Sequence, residues 1–175
     1  VFRSLTLPEG PFEIIDYACG QGLASILLFQ YGPRLKQITS RIMLIEPSAI
    51  SLEHAESLLR CQVPNTEIIA VNKYLDETSL NELSDPTDKT KIHLFSNILD
   101  IDTFDHFELF NKILCCNGTH VFLAVSHDRD FHGGSERLKN IYEAIIDKEH
   151  HSKLQIHENK IQEFQRITSS GGQQP

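Results

Sequence analysis

The sequence predicts an α/β fold: a doubly wound, mostly parallel sheet covered by helices on both faces. Three observations predict it. Short and almost wholly apolar runs alternate along the chain with segments of helical period. Those runs lack the in–out alternation of a half-solvated sheet, as strands buried on both faces do. The first run ends at Asp16 and is followed by Gly20, Gly22 and an apolar helical segment, which is how a buried strand turns tightly into a helix.

Taken in order, Phe12–Ala18 reads as the first strand and Leu23–Phe29 as the start of a helix, broken by Gly32-Pro33. Arg41–Glu46 is a second short strand. Ser48 then suits a helix N-cap, and Ile50, Leu52, Ala55, Leu58 and Leu59 mark one face of the helix it opens. Thr66–Val71 is a third strand. The polar stretch Asp76–Asp88 holds a short helix within a longer connection. Lys91–Ser96 is the fourth strand, and a helix with Phe104, Phe107, Phe110, Ile113 and Leu114 inward follows it, closed by Asn117-Gly118 as a C-terminal cap. Thr119–Val125 is the fifth strand. After Gly133-Gly134, Leu138, Ile141, Tyr142, Ile145 and Ile146 trace a last helical face. Beyond His150 the pattern blurs: Leu154 and Ile156 suit a strand, whereas Ile161, Phe164 and Ile167 are spaced for a helix. Five strands with mostly helical connections give the doubly wound sheet.

The 175 residues suffice for one domain, expected over 1–168, with 169–175 as a flexible linker-like tail. Hydrophobic and charged contents of 40% and 23% are ordinary for a soluble globular chain. A net charge of -8 without a basic cluster disfavours an extended nucleic-acid groove. Cys19, Cys61, Cys115 and Cys116 show no C-x-x-C spacing. They read as small buried residues of a reducing, cytoplasmic compartment. No apolar run approaches the ~20 residues that span a bilayer, so no membrane partner is expected. The chain opens at Val1 without a basic-plus-apolar leader, and its single methionine is Met43, so the natural start is expected upstream or removed.

In such sheets ligands bind beyond the carboxyl ends of the strands, where strand order reverses. Those ends are Asp16–Gly22, Glu46–Ser48, Asn72–Leu75, Ser96–Asp100 and Ser126–His127, all polar or glycine-bearing after apolar runs. Gly20 and Gly22 permit backbone angles closed to other residues and leave the peptide bare for a ligand. The first N–H groups of the following helix have no internal partner and can meet a polar or anionic group. Glu46, an acid ending the second strand, can accept both hydroxyls of a ribose.

With these pieces the chain resembles the class I S-adenosylmethionine-dependent methyltransferases. The matching residues are Asp16-Tyr17-Ala18-Cys19-Gly20-Gln21-Gly22, Leu44-Ile45-Glu46-Pro47-Ser48 and His93-Leu94-Phe95-Ser96-Asn97-Ile98-Leu99-Asp100, and the likeness runs from about Phe12 to Ile146. The resemblance implies S-adenosyl-L-methionine as cofactor. Gly20 and Gly22, with Ala18 in the same loop, would pass under its methionine part, and Asp16 would lie near its amino group. Glu46 would hold the ribose hydroxyls, with Pro47 beside it. Asn72 or a backbone N–H would serve where the family places an acid against adenine, and Ser96-Asn97 would face the methyl group and acceptor.

There are departures. No Asn-Pro-Pro-Tyr sequence or Pro-Cys dipeptide is present, so amino-group DNA and pyrimidine C5 chemistry are not indicated. The family's closing antiparallel strand pair has little room, which makes a shortened or degenerate C-terminal end the expectation. A dehydrogenase fingerprint would need a third glycine near Ser25.

His127, His132, Asp128 and Asp130 cluster after the fifth strand but match no standard metal spacing, so no metal is expected. Catalytic candidates are Asn97, Asp100 and His127. His106 also flanks the fourth strand end, with capping or solvation the favoured reading. Transfer of a methyl from a sulfonium needs little beyond alignment, so no catalytic residue is obligatory. The leading expectation is a methyltransferase acting on a small molecule, a protein or RNA. The alternatives are a methyltransferase-like binding module without turnover and, less favoured, a nucleotide-dependent oxidoreductase.

Overall fold

A computed structural model describes residues 10–83, 89–98, 101, 104–125, 140 and 143. Among the described residues five strands form one sheet: β1 (Phe12–Tyr17), β2 (Thr39–Ile45), β3 (Glu67–Val71), β4 (Thr90–Ser96) and β5 (His120–Val125). Their spatial order is β3-β2-β1-β4-β5 and every pairing is parallel. The helices are α1 (Leu23–Tyr31), α2 (Leu35–Ile38), α3 (Ala49–Gln62), α4 (Leu80–Leu83) and α5 (His106–Leu114). This is the doubly wound parallel α/β sheet that the sequence predicts.

Consecutive residues of each strand feed two separate cores. Ile14, Ile42, Leu44, Ile92 and Leu94 pack under Leu28 and Phe29 of α1 and Leu52, Ala55 and Leu59 of α3. Ile15, Tyr17, Met43, Ile45 and Phe95 pack on the other face against Leu83 of α4 and Leu109, Phe110 and Ile113 of α5. Burial on both faces is why the strand sequences read as unbroken apolar runs. In register, Tyr17 stands beside Ile45 on one side and Phe95 on the other, so the three central strands finish level.

Helix ends follow from local chemistry. The Ser48 hydroxyl accepts the Ser51 N–H at 3.4 Å, and the Asp105 carboxylate accepts the Glu108 N–H at 3.1 Å. Gly32 ends α1 by donating its N–H to the Leu28 carbonyl at 2.9 Å.

Several sequence expectations are corrected. β1 and β2 stop one residue short, at Tyr17 and Ile45, while β2 starts two residues early at Thr39. Ile50 and Leu58 are exposed rather than core, because α3 buries the stripe Leu52, Ala55 and Leu59 and Ile50 lies on its far side. In α5, Phe107 is half exposed and Leu109 takes the inward place. That helix ends at Leu114 with Cys115 as its C-cap, so Asn117-Gly118 is not a cap. Instead the Asn117 carbonyl accepts from the buried Lys91 ammonium at 3.0 Å. Of the cysteines only Cys19 is buried; Cys61 and Cys115 are exposed and Cys116 is intermediate. Asn140 and Glu143 are helical. The rest of the last expected helix, the ambiguous segment beyond His150, the domain boundary at 168 and the tail lie outside the described residues. Among the described residues, no helix is long and apolar enough to cross a membrane.

Phe95 sits between Tyr17 and Phe110, with ring centroids 4.6 and 5.0 Å away. Phe95→Ala should lower unfolding free energy by about 3–5 kcal/mol in urea titration, whereas Phe107→Ala should change it by less than about 0.5 kcal/mol.

Candidate ligand-binding site

Sheet order reverses between β1 and β4: β2 and β3 extend one way from that seam, β5 the other. The turns leaving these two strands carry both positive-φ non-glycine residues among the described ones, Ala18 at φ 48° and Asn97 at φ 56°. Left-handed backbone costs an alanine roughly 1–2 kcal/mol and persists only where the surroundings impose it. Here they do. The Cys19 N–H donates to the Ile45 carbonyl at 3.0 Å, and the Asn97 N–H to the Val125 carbonyl at 2.8 Å. Each turn is thus pinned to the neighbouring strand end.

Glu46 follows β2 and turns toward the glycine loop. One carboxylate oxygen accepts the Gly20 N–H at 3.0 Å, and the other accepts the Ser48 N–H at 3.0 Å. The side chain therefore fixes the β1–α1 turn and the approach to α3 together, while each oxygen keeps a lone pair for a further donor. Asn72, after β3, donates through Nδ2 to the carbonyls of Glu46 and Pro47, both at 2.9 Å. That amide holds the Glu46–Pro47 backbone in place, and only its oxygen remains for a ligand. Ser96 is part-buried at the end of β4, with Asn97 exposed next to it.

The two glycines serve different ends. Gly20 has φ 53°, and a Cβ built there would meet nothing within 4 Å, so the space over it is open. Gly22 has φ 76°, and a Cβ there would stand 3.0 Å from the Cβ of Ala55. Gly22 thus lets α1 approach α3, a packing role beside the ligand access expected from the sequence.

Asp16 is buried, and its Oδ2 accepts the Ser25 hydroxyl at 2.6 Å. Its Oδ1 is buried without a hydrogen-bond partner. Burial raises its pKa from 3.8 to about 6; the Ser25 hydroxyl and N–H work against that rise and the Glu46 charge adds to it. Ser25 belongs to no motif in the sequence, and its only trace there is an acid and a serine nine residues apart across a strand–turn–helix. Leu23, Ile50 and Tyr74, at the starts of α1 and α3 and just beyond β3, are exposed and form an apolar fringe at the same rim. His106, at the first turn of α5, has its Nε2 buried without a partner, and burial lowers its pKa. Asp100, His127, His132, Asp128 and Asp130 lie outside the described residues. Among the described residues no group of three His, Cys, Asp or Glu side chains could hold a metal ion.

No protein-family model and no curated protein matches the chain. Solved structures of similar fold include an S-adenosylmethionine-dependent methyltransferase from Mesorhizobium loti, at 23% identity and TM-score 0.43, covering 66% of this chain and 48% of that one. A protein from Pyrococcus horikoshii OT3 is 17% identical with TM-score 0.44, over 79% and 54%. A SAM-dependent methyltransferase from Leishmania major is 16% identical with TM-score 0.48, over 79% and 56%. The chain spans about half the length of these structures. At such identities the likeness is one of chain path and says nothing of substrate.

Two outcomes test the site's construction. Gly22→Ala should cost about 1–3 kcal/mol in urea unfolding through its clash with Ala55, and Gly20→Ala only about 1 kcal/mol of backbone strain. For Asp16 the folded pKa lies above the unfolded one, so its contribution is fully present below pH 3.8 and is lost as pH rises through about 6. The stability of Asp16→Asn relative to the parent should therefore climb across that window by on the order of 2–3 kcal/mol.

Proposed function

We propose that the protein binds S-adenosyl-L-methionine at the carboxyl ends of β1, β2 and β4 and transfers its methyl group to an acceptor beside β4. The observation that carries this reading is the Glu46 carboxylate, turned onto the Gly20 N–H across the ends of β1 and β2. It presents free lone pairs at the edge of an open glycine turn, the chemistry that a ribose diol requires.

The residues present fit the cofactor. The unpartnered Asp16 Oδ1 lacks a donor, and a ligand ammonium, reached directly or through water, supplies one. The open space above Gly20 admits a chain that any side chain there would obstruct. Ile50 and Tyr74 offer apolar surface for a purine, and the Asn72 side-chain oxygen offers an acceptor to an exocyclic amino group. Ala18 and Pro47 contribute backbone to the same rim. When bound, the cofactor supplies an electrophilic methyl on a sulfonium with a neutral leaving group.

The protein's part is then alignment. Ser96 and Asn97 hold polar groups at the strand end where an acceptor would sit, and the left-handed Asn97 backbone fixes where its amide starts. Asp100 and His127 are the other acceptor-side candidates. Small molecule, protein side chain and RNA are the acceptor classes in play, with the charge of -8 weighing against RNA.

Isothermal titration should show binding of S-adenosylmethionine and S-adenosylhomocysteine. Glu46→Ala should weaken both by about tenfold to a hundredfold, the size of a lost charge-assisted hydrogen bond, with unchanged far-UV circular dichroism. Binding should also strengthen as pH rises through about 6, because an ammonium prefers Asp16 ionised. Absence of binding by either compound overturns the proposal, and equal affinity in the Glu46 variant removes the ribose contact on which it rests.

A further inference from the structure

On the α5 side of the sheet lies a chain of polar groups with no part in the site above. The Tyr17 hydroxyl stands 2.9 Å from His93 Nδ1, His93 Nε2 stands 2.9 Å from His120 Nδ1, and His120 Nε2 stands 2.9 Å from the Cys116 carbonyl oxygen. Tyr17 and His93 are buried and His120 part-buried. The chain runs from the last residue of β1, just before the strained Ala18 turn, through β4 and the first residue of β5 to the corner after α5. Stacking clamps it: His93 lies on Phe122 at 5.0 Å, and Tyr17 lies on Phe95 at 4.6 Å.

One end fixes every proton in it. A carbonyl only accepts, so His120 Nε2 carries hydrogen. In the neutral ring His120 Nδ1 is then bare and must accept from His93 Nε2–H. His93 Nδ1 is bare in turn, and the Tyr17 hydroxyl donates to it. With both rings neutral, every group is satisfied in only this direction.

A proton added to His120 would turn the chain around. His120 Nδ1–H would face His93 Nε2, which would have to become the acceptor, and His93 Nδ1–H would then point at the Tyr17 oxygen. The buried hydroxyl hydrogen of Tyr17 would be left without a partner, a cost that opposes the protonated chain. The surrounding charges add to the resistance. Lys91, on β4, is buried beside both imidazoles, and its ammonium donates to the Asn117 carbonyl in the same corner. Glu13 on β1 stands opposite Lys91 in register, with one carboxylate oxygen 3.6 Å from the Lys89 ammonium. The Lys112 ammonium of α5 is directed to Glu108 and the Thr78 carbonyl, and the Cys116 thiol donates to the Lys112 carbonyl at 3.4 Å.

We propose that the Tyr17–His93–His120 chain is an acid-sensitive latch, closed at neutral pH with a single set of tautomers and released by protonation so that the Cys116–Gly118 corner parts from the sheet. Burial lowers both histidine pKa values, His93 furthest; the charges of His120 and Lys91 add to the shift of His93, while for His120 the bond to the Cys116 carbonyl opposes it and Lys91 adds to it. A depressed folded pKa means stability present above the ordinary value near 6.5 and lost as pH falls below it.

The test reads the latch directly. In long-range proton–nitrogen correlation spectra at neutral pH, His93 and His120 should both appear as neutral Nε2–H tautomers. A Nδ1–H tautomer or an imidazolium at either residue overturns the proposal.

The release is read at the Cys116 thiol, in a Cys61→Ser, Cys115→Ser background, with 2,2′-dipyridyl disulfide and rates normalised to glutathione. Modification should be slow at neutral pH and rise by up to roughly tenfold per pH unit below the ordinary imidazole value of about 6.5 while circular dichroism stays folded. His120→Gln keeps a donor for the Cys116 carbonyl but cannot take up a proton, and it should abolish that rise. The same acceleration in His120→Gln, or none in the parent background, overturns the latch.

Discussion

Parallel strands covered on both faces use their backbone groups in the ladder and their side chains in two cores. Polar chemistry can then gather only where strands end or where a core tolerates a fully satisfied network. Both outlets are used here. At the carboxyl rim, β1, β2 and β4 stop level, and the turns after β1 and β4 are pinned to the ends of β2 and β5 by main-chain bonds from Cys19 to Ile45 and from Asn97 to Val125. Inside the α5-side core, two histidines and a tyrosine replace apolar side chains because each finds a partner at 2.9 Å. A buried polar group without one would cost more than the packing it displaced returns.

At the rim the labour is divided between residues that build the crevice and residues left with spare valence. Gly22 and Asn72 are builders: one admits α1 against α3, and the other clamps the Glu46–Pro47 backbone with both amide hydrogens. Glu46 is a builder with capacity to spare, since each oxygen accepts one backbone N–H. Asp16 is the opposite case. Its bond to Ser25 satisfies one oxygen and leaves the other buried and bare, so the empty-handed atom lies in the strand rather than in the exposed loop. A ligand donor would relieve a cost that the fold already carries.

The strands were legible because burial on both faces leaves an unbroken apolar run, and their limits slipped by a residue or two. Thr39 and Ser40 join β2 although they are polar: Thr39 pairs with Phe12 across a register shift that leaves Ser40 without a partner in the register, its hydroxyl donating to the Phe12 carbonyl at 3.1 Å. Helical faces were less legible. Ile50 and Phe107 match an apolar period in sequence, but a helix buries only the stripe that its neighbours cover, and which side that is depends on the crossing with the sheet. The glycine loop and Glu46 could be placed from the order of elements alone. The builder role of Gly22 could not, since it requires knowing that Ala55 faces it. Nor was the histidine chain foreseen. His93 alternates with Lys91 and Phe95, and His120 with Phe122, so the period of two did hold the clue that both imidazoles share one face. Their adjacency needed the β4–β5 register, which pairs Lys91 with His120.

Asp16 and Tyr17 are neighbours in β1, and the pleat sends them to opposite faces. One titrating group therefore sits above the strand end and another system below it, with opposite signs. Asp16 loses its stabilising contribution as pH rises from 3.8 through about 6, while the histidines lose theirs as pH falls below 6.5. Over the overlap the two partly offset, so global stability varies less with pH than either side alone would require. A flat stability profile there is consistent with two strongly titrating layers, because unfolding reports only their sum. Local probes separate them: a ligand ammonium reads the Asp16 side, and the Cys116 corner reads the other. The strained Ala18 peptide joins the two, following Tyr17 directly and leading into the glycine turn. Both layers therefore border the same short segment of backbone.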